Sequence, residues 1–399
     1  MIKHHAFFEA LGSMQEKSPE WNASFAGLSV LRLLDRLAEV RELAELPGGH
    51  EEYASRRAVE SVAEGDPARA ILLRILDRLR DHFALSDETG SDLISYGRAL
   101  DLSARWSLAA DVFETVANAF SERTSPHLVI EASTLLGAAA RNTGDWETSG
   151  RAYVRAEHLA ESTGDRAGAL TAQVGIANND MFRGDLQTAD ESLASIITNA
   201  NALKLEKVEA IALHARAHAA HLKGEHQRTV HLAYRSLELT TNPGGRERLL
   251  ADIAAAYSDL GMKEPARHGY SIVAITSPHQ SVRWQCELNL MKLAADENDE
   301  KTFDEYVAKL ESAAMGPRLM TYFMFYRAMG SKRFNRLDAQ SMFEEAQRFA
   351  STNRLHQLAF EIEAEMSKPL RYADLEPTPE LTRIAEVLEH LHDEALSKD

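Results

Sequence analysis

Three histidines, His214, His218 and His221, stand four and three residues apart, so a helix would carry their rings on one stripe, and His226 and His231 follow in the next helical segment. Two imidazoles four residues apart can chelate zinc or nickel, and a third donor would complete a facial set. No Cys, Asp or Glu shares that stripe, and Ala215, Ala217, Ala219 and Ala220 around it describe ordinary helix packing. The expectation is therefore no metal and no cofactor, and a stripe that lines a groove as a hydrogen-bonding, pH-responsive wall. A metal-dependent or enzymatic protein centred on the histidines is the alternative.

Other reactive side chains lead no closer to catalysis. Cys286 lies among Trp284, Leu288 and Leu290 with no paired base, as a buried structural thiol does. The sequence has no Gly-rich phosphate loop, no nucleophile elbow and no zincin pair; His50, Glu51 and Glu52 come nearest, but Ala54 occupies the place of the second ligand. No catalytic residue is assigned, and the chain reads as a non-enzyme.

What positions these side chains is a repeat. Gly144, Gly184, Gly224 and Gly261 are 40, 40 and 37 residues apart, each between two helix-patterned segments. Trp106, Trp146, Leu186 and His226 keep the same step, as do the small residues Gly97, Gly137, Ala177, Ala217 and Ala254. Small-then-large pairs four residues apart (Ala109 and Phe113, Ser149 and Tyr153, Ala189 and Leu193, Ala266 and Tyr270) mark the packing face of each second helix. Gly144 with Asp145, and Gly184 with Asp185, supply a left-handed helix stop followed by an acidic N-cap. Strand signals are absent. The fold expected is all-α, a solenoid of antiparallel helical hairpins that bury their faces against neighbours.

This order of small residues and aromatics in two antiparallel helices resembles the tetratricopeptide repeats, in the longer-repeat form of bacterial regulators. The resemblance covers residues 89–312 and implies a right-handed superhelix whose first helices line a concave wall. It also implies a non-enzymatic scaffold or regulator that binds a peptide or protein segment. Residues 1–88 read as an N-terminal helical segment, divided at Pro47, Gly48 and Gly49; residues 313–375 read as a degenerate pair interrupted by Gly330. Residues 376–399, from Pro377 and the cap Thr378, read as a helix that covers the last exposed hydrophobic face.

Stepping along the period gives the groove. One rung runs Arg98, Ala138, Asn178, His218 and Ala255; the next runs Asp101, Arg141, Met181, His221 and Ser258, with Asn142 and Phe182 beside it and His214 on the histidine stripe. Asn178 and Asn179 are poor helix formers whose amides suit the backbone of an extended peptide. Arg141 suits a carboxylate, or pairs with Glu131. The run Tyr322, Phe323, Phe325 and Tyr326 reads as core near the end of the stack; a self-associating protein with that run as its contact is a third reading.

With 44 Lys and Arg against 61 Asp and Glu, the net charge of −17 opposes binding to nucleic acid or anionic membranes. One cysteine, no signal-peptide core and no long apolar run point to the cytoplasm. Homo-oligomers are compatible with all of this.

Overall fold

Helix boundaries fall where the repeat places them. The structure, a computed structural model, describes residues 3–39, 49–82, 85–103, 105–277, 280–313, 315, 317–353, 355–366 and 379–397. Among them are twenty α-helices and no strand. Pro47 and Gly48 of the expected break, and the cap Thr378, lie outside the described residues, while Gly49 is the first residue of α3. The chain forms two compact units, Met1–Val208 and Glu209–Asp399, so the 89–312 repeat block is shared between them.

The first unit holds α1 (His5–Ser13), α2 (Pro19–Glu39), α3 (Gly49–Glu60), α4 (Pro67–His82), α5 (Asp87–Leu102), α6 (Trp106–Ala119), α7 (Pro126–Thr143), α8 (Trp146–Thr163), α9 (Arg166–Phe182) and α10 (Leu186–Ala202). Trp106, Trp146 and Leu186, spaced by the repeat, are each the first residue of a second helix. Gly144 ends α7 at a φ of 80°, and the Asp145 side chain then accepts from the Thr148 amide at 3.0 Å to start α8. Those hydrogen bonds hold the Asp145 carboxyl below its ordinary pKa. Asp165 and Asp185 cap α9 and α10 in the same way.

Aromatic knobs pack on glycines between the helices, as Phe113 does on Gly97, and one of them touches two first helices at once. Tyr153 of α8 is buried with its ring against Gly137 of α7 and Gly175 of α9; a Cβ at Gly175 would lie 2.1 Å from a ring carbon, and one at Gly137 would lie 2.8 Å away. The N-terminal segment is not a separate layer, because one continuous core runs from Phe7 and Leu31 through Leu76 and Tyr96 to Phe113 and Ala152. His4 locks that junction. Its Nδ1 lies 2.6 Å from Asp111 of α6 and its Nε2 3.0 Å from Asp35 of α2. Burial works to lower its pKa, but the hydrogen bonds and charges of the two carboxylates outweigh that and hold it above the ordinary histidine value.

The second unit continues through α11 (Glu206–Leu222), whose first residues fall in the preceding unit, α12 (His226–Leu239), α13 (Pro243–Asp259), α14 (Lys263–Thr276), α15 (Gln280–Asp296), α16 (Glu300–Glu311), α17 (Pro317–Arg333), α18 (Ala339–Thr352), α19 (His356–Met366) and α20 (Pro379–Leu396). Between α15 and α16, Asn298 takes the left-handed place of glycine at a φ of 60°, and Asp299 caps Thr302. Gly330 does not interrupt its helix. It lies within α17, where the missing side chain makes room for the ring of Phe303. The last helix, α20, lies against α14 and α12, burying Leu381, Ile384 and Leu388. Tyr257 of α13 donates to the Leu381 carbonyl at 2.7 Å. The apolar surface that α20 covers thus belongs to α12–α14.

Two expectations follow. Gly175→Ala forces a methyl into the Tyr153 ring and should destabilise by about 1–3 kcal/mol in urea unfolding. Gly150→Ala, in an open position of α8, should stabilise by about 0.5–1 kcal/mol. Equal effects at the two sites would show that the knob does not set the repeat spacing. For His4, a raised folded-state pKa means that its contribution is fully present below about 6.5 and is lost as pH rises through the folded value. The difference in thermal midpoint between wild type and His4→Gln should therefore be largest in mild acid and shrink towards alkaline pH; a difference that grows with pH would contradict the assignment.

Candidate functional site

Within the first unit, α7 touches both α5 and α9, whereas no comparable contact joins α6 to α8 or α8 to α10 among the described residues. First helices therefore form the tighter, inner wall of this stack, and the predicted rung residues lie on them. Arg98, at the surface of α5, donates from Nη2 to Glu131 of α7 at 2.7 Å, so Glu131 serves Arg98 and not Arg141. Asp101 is half-buried one turn further along α5, and Asn142 is exposed at the end of α7.

Arg141 is the organised member of the set. Its Nη1 donates to the Tyr153 hydroxyl at 2.7 Å, and its guanidinium carbon lies 6.0 Å from the Tyr153 ring centroid and 5.6 Å from that of Phe182. Its Nε is buried without an acceptor among the described residues. Burial raises the Tyr153 phenol pKa, with Arg141 opposing, so the hydroxyl stays a neutral acceptor. Phe182, at the end of α9, leaves 48% of its surface open. The core knob thus doubles as the anchor of a stacked cation at the wall.

The paired asparagines separate in role. Asn178 is half-buried on the wall with no hydrogen-bond partner among the described residues. Asn179 is buried, and its Nδ2 donates at 2.9 Å to Ser149 Oγ, which itself donates to the Gly137 carbonyl at 2.7 Å. It is a structural amide joining α7, α8 and α9, and its helix-propensity cost serves packing.

In the second unit the histidine stripe faces acids that its own helix lacks. His214 Nε2 lies 2.8 Å from Asp252 of α13, so one of its ring nitrogens is already engaged by a neighbouring helix. His221 and, at the start of α12, His226 both turn towards Asp259, the last residue of α13. Ser258 sits half-buried beside it, and His218 is half-buried on the stripe. The signal was in the sequence: Asp252 follows His214, and Asp259 follows His221, by the same 38 residues, one more than the local repeat step.

A second feature escaped the sequence reading. α15, α17 and α19 contribute to a pocket of about 420 Å³ lined by Lys292, Tyr322, Phe325, Tyr326, Met329 and Phe360, with Glu361 and Glu365 among the polar walls. The Lys292 ammonium lies 5.7 Å from the Tyr326 ring centroid. Tyr322, Phe325, Tyr326 and Met329 are spaced three, four and seven residues along one helix face, which could have revealed the lining; Phe323 turns away into the core. Cys286 is fully buried, and burial pushes its thiol up to about 12, so it stays protonated and unreactive at neutral pH. No helix among the described residues is long and apolar enough to cross a membrane.

No protein-family model matches the chain, and no curated protein matches it. Among solved structures it is similar to the Rap conjugation gene regulator of the plasmid pLS20 in complex with a Phr peptide, at 11% identity over 87% of this chain and 99% of that one, with a TM-score of 0.50. It is also similar to a Rap protein complexed with competence and sporulation factor, at 12% identity over 92% and 99% of the two chains, with a TM-score of 0.45. At 11% identity the first likeness speaks to fold, that of a helical-repeat solenoid.

Proposed function

We propose that this protein is a non-enzymatic, cytoplasmic regulator of tetratricopeptide type that binds an extended peptide along the inner wall of its first helices. One observation carries the reading. Arg141 is held between Tyr153 and Phe182 with Nη1 committed to the scaffold, and Asn178 lies half-buried on the same wall with no hydrogen-bond partner among the described residues. A stacked guanidinium held in place by its scaffold suits a peptide carboxylate or carbonyl, and the Asn178 amide offers both donor and acceptor to a peptide backbone. The pLS20 regulator that shares the fold was solved with a peptide bound, which supports the same use here. The net charge of −17 argues against a phosphate backbone as the ligand.

A random peptide library displayed on phage and panned against the full chain should enrich sequences that bind with micromolar or better affinity. Arg141→Ala combined with Asn178→Ala should weaken the selected peptides by about 10-fold or more, on the basis of about 1.5–3 kcal/mol for a charged hydrogen bond, with helical content and unfolding midpoint little changed. Failure to enrich any peptide, or selected peptides that bind the double variant as tightly as wild type, would reject this wall as the site.

A further inference from the structure

His221 lies in the last turn of α11, His226 opens α12, and Asp259 ends α13, so a turn and a neighbouring helix end bring two imidazoles and a carboxylate together within the second unit. One ligand atom from each lies within 4.8 Å of the other two. Nδ1 of His221 and Nδ1 of His226 each stand 3.7 Å from Asp259 Oδ2. That distance is too long for a hydrogen bond, and both nitrogens are buried with no hydrogen-bond partner among the described residues. The two rings meet edge to face, 5.4 Å between centroids, rather than stacking in parallel. Two orphaned buried nitrogens converging on one carboxylate oxygen are poorly explained as packing, since a buried polar atom without a partner destabilises the fold.

We infer that His221, His226 and Asp259 form a binding site for one divalent transition-metal ion of the zinc class. Zinc takes histidine nitrogen and carboxylate oxygen at roughly 2.0–2.2 Å, so ligand atoms around it sit about 3.0–3.5 Å apart, and the present spacing needs only a small inward movement of three side chains. Two imidazoles and one carboxylate leave a coordination position for water. All three residues are partly exposed, with side chains 34%, 27% and 39% accessible, so an ion can enter without unfolding the helices. The ion would tie the α11–α12 turn to the end of α13, acting as a clasp between successive hairpins. The histidine stripe alone lacks the carboxylate for this; the ligand set takes only His221 from it and draws the other two residues from outside.

The test uses the full-length chain stripped of metal by chelation and titrated with zinc chloride by calorimetry, with cobalt chloride as the spectroscopic probe. The expected result is one ion per chain, visible bands of a low-symmetry cobalt site, and a thermal midpoint that rises with zinc. His226→Ala and the near-isosteric Asp259→Asn should each weaken zinc by more than the roughly 10–100-fold that loss of an outer-shell partner causes, while circular dichroism shows the helices retained. His231→Ala, a histidine of the same helix outside the cluster, should bind as wild type does. Absence of stoichiometric zinc binding by the wild-type chain, or undiminished binding by Asp259→Asn and His226→Ala, would overturn the assignment.

Discussion

The first unit depends on aromatic rings set against glycines, Tyr96 on Gly27, Phe113 on Gly97 and, at the wall, Tyr153 driven between Gly137 and Gly175, where neither first helix has room for a side-chain carbon. Interior packing is crystal-like, so a contact this tight fixes the spacing of α7, α8 and α9 to within fractions of an ångström. The same side chain presents its hydroxyl at the far edge of the core, where it receives Arg141. One residue thus takes part both in the close packing of α7, α8 and α9 and in the placement of the wall cation. Ser149, one turn earlier on α8, repeats the logic in polar form by linking Gly137 to Asn179.

Much of this architecture was legible in the sequence because local chemistry repeats with the helices. The glycine and aspartate at each turn have one geometric use, and the series Trp106, Trp146, Leu186 and His226 marks helix starts in the structure. Side-chain partnerships were less legible, because they join residues about one repeat apart and need the helices placed before they can be seen. Asn178 and Asn179 are alike as letters and differ only in which way a helix turns them. The histidines looked isolated from acids when read along their own helix, whereas Asp252 and Asp259 stand across from them on the next first helix.

The limits of the repeat were also hidden. Residues 1–88 carry no period, yet they share a core with α5–α8, since a stack with an open apolar end must be covered by whatever chain is available. Phe325 and its neighbours resembled core because aromatic and Met residues usually are. Half of that helix is core, and the other half faces a pocket, a division set by the neighbouring α15 and α19 and invisible in composition.

The contact between Tyr257 and Leu381 joins residues 124 positions apart, and that between His4 and Asp111 joins residues 107 apart, in a molecule whose other contacts are mostly between neighbouring helices. Loop closure over such lengths carries an entropic penalty that nearby hairpins escape. During synthesis, then, the hairpins can form as they emerge, whereas α13 must wait until the much later α20 has been made before it gains this partner.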